Sequence, residues 1–159
     1  MSDNASPASD PRAHLALTDA VSGEADPMSV AMRSLHAMVA GDRADFELLI
    51  HADAVDHEND AQPPSSRVPG PAGFHSTALW LRAAFADLHY DIHHAVADGT
   101  LVAVRSTMNG RHVARAVYTP DGAVDTVFPQ RTRRSRRPSP LWCRIEDAGI
   151  IESARLSLS

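Results

Sequence analysis

The sequence predicts an α+β fold in which about three helices precede a curved antiparallel sheet. Two observations carry this reading. Up to about residue 88, apolar side chains recur at helical spacing; from Tyr90 onward they alternate with polar ones. Between the alternating runs stand Asp98-Gly99, Asn109-Gly110 and Asp121-Gly122, all favoured at tight hairpin turns. Helices first and strands afterwards describe an α+β arrangement.

Taken in order, residues 1–26 are rich in Ser, Asp, Ala and Pro without an apolar period and read as a flexible tail. Residues 27–159 then form one domain. Asp26-Pro27 starts a helix, with an acid to cap it and proline at its first position. Met28, Ala31, Met32, Leu35, Met38 and Val39 give that helix one apolar face, and Gly41 ends it. A short second helix from Asp42 carries Phe46, Leu49 and Ile50. The Pro- and Gly-rich stretch 61–73 is a loop, and a third helix runs from about Phe74 to Leu88. Strands follow from Tyr90 to Val96, Leu101 to Met108 and His112 to Tyr118, with two more at Leu141–Glu146 and Ile150–Leu158. Five arginines within 131–137 cost too much desolvation for a half-buried strand, so 130–138 reads as a basic loop open to disorder. A curved sheet with helices on one face leaves a cone whose mouth suits a small molecule.

Composition excludes several functions. All 15 basic residues are arginine, so neither a Schiff-base lysine nor a lysine phosphate loop is available. A lone cysteine, Cys143, forms no intrachain disulfide and fits a reducing cytoplasm. No apolar run is long enough to span a bilayer. The net charge of −5 argues against nucleic acid as a partner. Residues 1–60 hold 12 acids and 3 arginines, so the first part of the chain is strongly acidic. The arginine run lacks interleaved aromatics for base stacking and reads as solvated.

Several motifs resemble the SnoaL-like polyketide cyclases, or ester cyclases, of the nuclear transport factor 2-like superfamily. Val55-Asp56-His57 is similar to the family's Val-x-His after the second helix. Leu81 to Leu88, LRAAFADL, is similar to its Leu-x-x-Ala-Phe-Pro-Asp-Leu, with Ala86 for proline. Ala97 to His112 resembles a strand–turn–strand ending in Gly-Thr-His, and residues 143–152 a late Phe-Arg-x-x-Asp-Gly-x-Ile-x-Glu. The likeness spans about residues 28–152. It implies a cone-shaped α+β barrel, a hydrophobic cavity, and intramolecular aldol-type chemistry without metal or cofactor. Such chemistry needs a base at a carbon alpha to a carbonyl and a donor for the enolate oxygen. The resemblance also implies a homodimer formed through the open sheet face, where Tyr90, Ile92 and His94 lie.

The chain departs from that pattern at its end. Ser153 and Ala154 stand at the His-Trp places, and Leu158 at the place of the usual catalytic aspartate. Any catalysis then falls to His57 or His112, imidazole being a common acid–base group near neutral pH. Each histidine also has a plainer reading, His57 as an exposed or capping residue and His112 as one packed on the core. Phe74, Trp80, Phe85, Arg105, Trp142, Ala154 and Leu158 are the expected pocket residues. Of these, the aromatics also suit a plain core, and Arg105 an ion pair. The consecutive cluster from Asp56 to Asp60 does not converge as metal ligands do. A non-catalytic binding or dimeric assembly module is the alternative function.

Overall fold

A computed structural model describes residues 26–57, 62–118, 124–139, 141–146 and 149–155. The chain folds as an α+β structure: helices over a curved, open, mixed sheet. The helices are α1 (Pro27–Ala40), α2 (Arg43–Leu49) and α3 (Pro71–Ala84), with one 3-10 turn at Pro64–Arg67. The strands are β1 (Ile50–Asp56), β2 (Phe85–Asp98), β3 (Leu101–Tyr118), β4 (Val124–Pro138), β5 (Leu141–Glu146) and β6 (Gly149–Arg155). Their order is β1-β6-β5-β3-β2, with β4 also paired to β3. The β1–β6 pair is parallel, so the sheet is mixed where the sequence implied antiparallel pairing throughout. Among the described residues no helix is long and apolar enough to cross a membrane.

The first two helices follow their sequence signals. The Asp26 carboxylate accepts from the Ser29 backbone N–H at 3.1 Å, and Gly41 closes α1 by donating to the Ala37 carbonyl at 2.8 Å. Asp42 and Asp45 then form a reciprocal capping box on α2. Ile50, read as helical, opens β1 instead; its β-branched side chain suits a pleated surface. Arg82 of α3 donates from Nε to the Met38 carbonyl at 3.0 Å and also bonds the Ala37 carbonyl. It thereby satisfies two last-turn carbonyls of α1 and ties the two long helices together.

The third helix begins and ends earlier than its apolar period suggests. Gly70 sets the start at φ +79°, and its N–H donates to the Ala54 carbonyl of β1 at 2.8 Å. A side chain there would sit 2.3 Å from the Ala52 carbonyl oxygen, so only glycine lets α3 approach β1. The helix stops at Ala84, and Phe85 to Leu88 belong to β2. Asp87 adopts φ +55° where the β2–β3 register shifts, a conformation aspartate tolerates better than most residues.

Two expectations for the sheet are corrected. Asn109-Gly110 is no hairpin: β3 runs unbroken through it for 18 residues. The reason is packing. Asn109 is buried and donates to the Asp91 carboxylate at 2.8 Å, while Gly110 leaves room for Phe85. The turn before β3 does form, with Gly99 at φ +57°. The second correction is that residues 130–138 are not a loop but the end of β4, paired with β3. Arg134, Arg136 and Arg137 are exposed there, so the strand avoids the expected desolvation cost. The Asp121-Gly122 turn, the 1–25 part of the tail and the strand end beyond Arg155 lie outside the described residues.

The core lies between the helices and the inner sheet face. Val30, Leu35, Phe46, Leu49, Phe74 and Ala78 pack on Val102, Val104, Cys143, Ile145 and Ile150. A smaller cluster joins Leu81, Leu88 and Met108, flanked by Trp80 and Phe85. Each fully buried large side chain contributes about 1.5–3 kcal/mol.

Two outcomes follow from this packing. A Cβ at Gly110 would lie 3.0 Å from Phe85 Cβ in a strand with little freedom to move. Gly110→Ala therefore lowers unfolding free energy by about 1–3 kcal/mol in urea titration. His75 packs against the Phe46 ring at 5.3 Å, and burial first, then Arg82 and Arg43, hold its pKa below the ordinary 6.5. The unfolded chain thus binds the proton more readily than the native one. Stability is full above pH ~6.5 and falls as the pH drops toward the lowered native value. Urea midpoints at about pH 7.5 and pH 5.5 will differ less in His75→Gln than in the parent.

Candidate functional site

Where the helices meet the inner sheet face, packing leaves a cavity of about 50 Å³. Its apolar wall comes from Leu35 and Met38 on α1, Phe46 on α2, Phe74 on α3, and Ile50 and Ile150 on the sheet. Polar groups reach it from one side, chiefly Asp56, Gln62, Thr77 and Ser153. A cavity of this size holds a few heavy atoms, against ~300–1,000 Å³ for ordinary ligand sites. The α1 side is rich in Met28, Met32 and Met38, all partly buried on the core. Such unbranched side chains rearrange at low cost.

The polar side is connected. Gln62 donates from Nε2 to Asp56 Oδ2 at 3.2 Å. The Thr77 hydroxyl points to Gln62 Oε1 at 3.4 Å and to the Gly73 carbonyl at 3.2 Å. Thr77 is buried, whereas Asp56 and Gln62 are half-buried. Asp56 stands opposite Ser153 in the β1–β6 pairing. A carboxylate beside an apolar cavity can accept a proton, and an amide can donate to a developing negative charge.

The expected site residues fall into separate places. Phe74 lines the cavity. His57 follows β1; its backbone N–H donates to the Ser153 carbonyl at 2.9 Å, and its exposed ring stacks on Trp142 at 6.3 Å. His112 packs on Phe85, ring centres 5.1 Å apart. Neither histidine lines the cavity, and they do not meet. Trp142 pairs with Ala103 on β3, and His112 lies roughly 30 Å further along that strand at ~3.3 Å per residue. Trp80 and Phe85 belong to the smaller cluster. Arg105 is exposed, because Leu101, Ala103 and Arg105 form the outer face while Val102 and Val104 face the core. It lines an outer groove of about 440 Å³ with His93 and His94. Ala154 is paired with Trp142 in the β5–β6 ladder, and Leu158 lies outside the described residues.

Asp56 as a proton acceptor and Gln62, Thr77 and Ser153 as cavity groups were not singled out from the sequence. The missed signal was β1 itself. Read as a strand, IHADAVD puts Ala54 and Asp56 on one face, with Ala54 fully buried. Cys143 is not a nucleophile near neutral pH: burial pushes its thiol up to about 11. Among the described residues no three His, Cys, Asp or Glu side chains gather to hold a metal ion.

Residues 31–152 match the profile of the SnoaL-like domain. No curated protein sequence matches the chain. Among similar solved structures, wild-type IdmH from Streptomyces antibioticus is 23% identical with a TM-score of 0.60, over 83% of this chain and 91% of that one. A SnoaL-like polyketide cyclase from Agrobacterium tumefaciens is 14% identical with a TM-score of 0.61, over 84% of this chain and 91% of that one. A protein of ketosteroid isomerase-like fold from Catenulispora acidiphila, in complex with trimethylamine, is 17% identical with a TM-score of 0.54. That alignment covers 80% of this chain and 84% of that one. At these identities the likeness is one of fold.

Proposed function

The chain belongs to the SnoaL-like domain family, and we propose that it binds a small, mainly apolar molecule in the cavity beneath α1 and α3 and moves a proton on it without a cofactor. The observation that carries this reading is the placing of Asp56 on the wall of a mainly apolar cavity, where it is the one carboxylate among the lining residues. Asp56 takes the proton from a carbon alpha to a carbonyl. The Gln62 amide, already bonded to that carboxylate at 3.2 Å, orients it, and Thr77 orients Gln62. The substrate class is an enolisable ketone or ester, consistent with the polyketide cyclase among its fold neighbours. About 50 Å³ admits the reacting end of such a molecule. A larger body requires the methionine-rich α1 side to yield.

This assignment gives Asp56 the proton transfer expected of His57 or His112. Asp56 supplies a base where Leu158 stands at the usual aspartate's place. The second reading is a non-catalytic binding module, homodimeric through the outer sheet face. The small cavity favours it, as do Val96 and Leu101 on that face, at 65% and 43% exposure.

Exchange of α-protons of a small cyclic ketone into deuterated water separates the two. The parent protein accelerates exchange, Asp56→Asn lowers the acceleration by about 100-fold or more, and removal of both imidazoles leaves most of it. No acceleration by the parent establishes the binding module instead.

A further inference from the structure

The outer face of the sheet carries a second concavity at its other end, away from the His93–Arg105 groove. It measures about 530 Å³ and lies across β2, β3 and β4. Three arginines line it, Arg111, Arg134 and Arg136, against two acids, Asp87 and Asp91. The acids are partly engaged. Asp91 accepts from the Asn109 side-chain Nδ2 at 2.8 Å, and Asn109 Oδ1 accepts from Arg136 Nε at 3.2 Å. Asp87 pairs with Arg111 through a single contact of 3.3 Å, and its side chain is 77% exposed, so water screens the pair.

Arg134 is different. The β3–β4 register places it directly opposite Arg111. Like charges opposed across a strand pair repel, since their Cβ atoms lie ~4.5–5.5 Å apart. Among the described residues Arg134 has no hydrogen-bond or ion-pair partner. Two arginines thus stand opposite one another at the wall of a concavity, and of the two only Arg111 has an acid partner, Asp87. A tetrahedral dianion relieves this arrangement better than a carboxylate: it brings two charges and three acceptor oxygens to two planar forks. Arg136 and the Ser135 hydroxyl stand beside the same opening.

We propose that this outer groove binds a phosphate dianion, bridged by Arg111 and Arg134. The phosphate comes either free or as the monoester end of an organic molecule. The groove is separate from the cavity that holds Asp56, and neither assignment depends on the other.

The test is a titration of the full-length protein at low ionic strength with inorganic phosphate and, separately, with glycerol 3-phosphate. Binding is read from the side-chain Nε–H signals of arginine. Saturable shifts at Arg111 and Arg134 are expected with at least one of the two. Arg134→Gln, an exposed change that leaves the melting temperature in place, weakens binding about tenfold or more. Arg43→Gln on α2, remote from the groove, leaves it unchanged. Equal affinity for the two probes identifies free phosphate as the ligand, and about tenfold tighter binding of the ester identifies an organic phosphate. Absence of saturable shifts, or equal binding by the parent and Arg134→Gln, overturns the proposal.

Discussion

The structure depends on one long strand that changes partner without breaking. Along one edge β3 pairs with β2; along the other it pairs with β5 through Val104 and with β4 from Thr107 onward. The handover falls at Ser106. Its hydroxyl donates to the Ser139 carbonyl at 2.6 Å, and the Ser139 N–H donates to its carbonyl at 2.9 Å. Both serines are buried, at 2% and 4% exposure, where unpaired backbone groups would be costly. Ser106 thus lets β4 and β5 follow a single strand in succession. The continuity of β3 through Asn109-Gly110 then separates the two faces on which the chemistry is proposed.

On the inner face, the helices determine what the cavity can be. Arg82 joins α3 to the end of α1, and Gly70 brings α3 against β1. Between those contacts remains a space of about 50 Å³, edged by Asp56. A space that small favours a compact substrate end. Among the described residues no helix covers the outer face, and His93, Arg105, Arg134, Arg136 and Arg137 are exposed there.

The sequence was most legible where the signal was local. Capping acids, Pro27 and Gly41 delimit α1 because each acts through its neighbours alone. The residues resembling the SnoaL-like family likewise identified the fold. The sequence was least legible where tertiary contacts override a local preference. Asn109-Gly110 has the chemistry of a turn, but a buried amide bond to Asp91 and the close approach of Phe85 keep it in a strand. The arginine run looks unfit for a strand until the exposure of Arg134, Arg136 and Arg137 is known. Phe74, expected on a pocket wall, does line the inner cavity. Asp56 was not singled out for that place, since its position beside the cavity depends on β1, a seven-residue strand directly after a helix with no turn signal between them.

If the proposed function holds, small apolar ligands enter the inner cavity rather than the His93–Arg105 groove on the outer face. Methyl-selective nuclear magnetic resonance of Met, Ile and Val side chains during titration with a small cyclic ketone tests it most directly. Saturable shifts at Met38, Ile50 and Ile150 are expected, with Val96 unmoved. Shifts confined to Val96 would contradict that reading and move the binding site to the open face of the sheet.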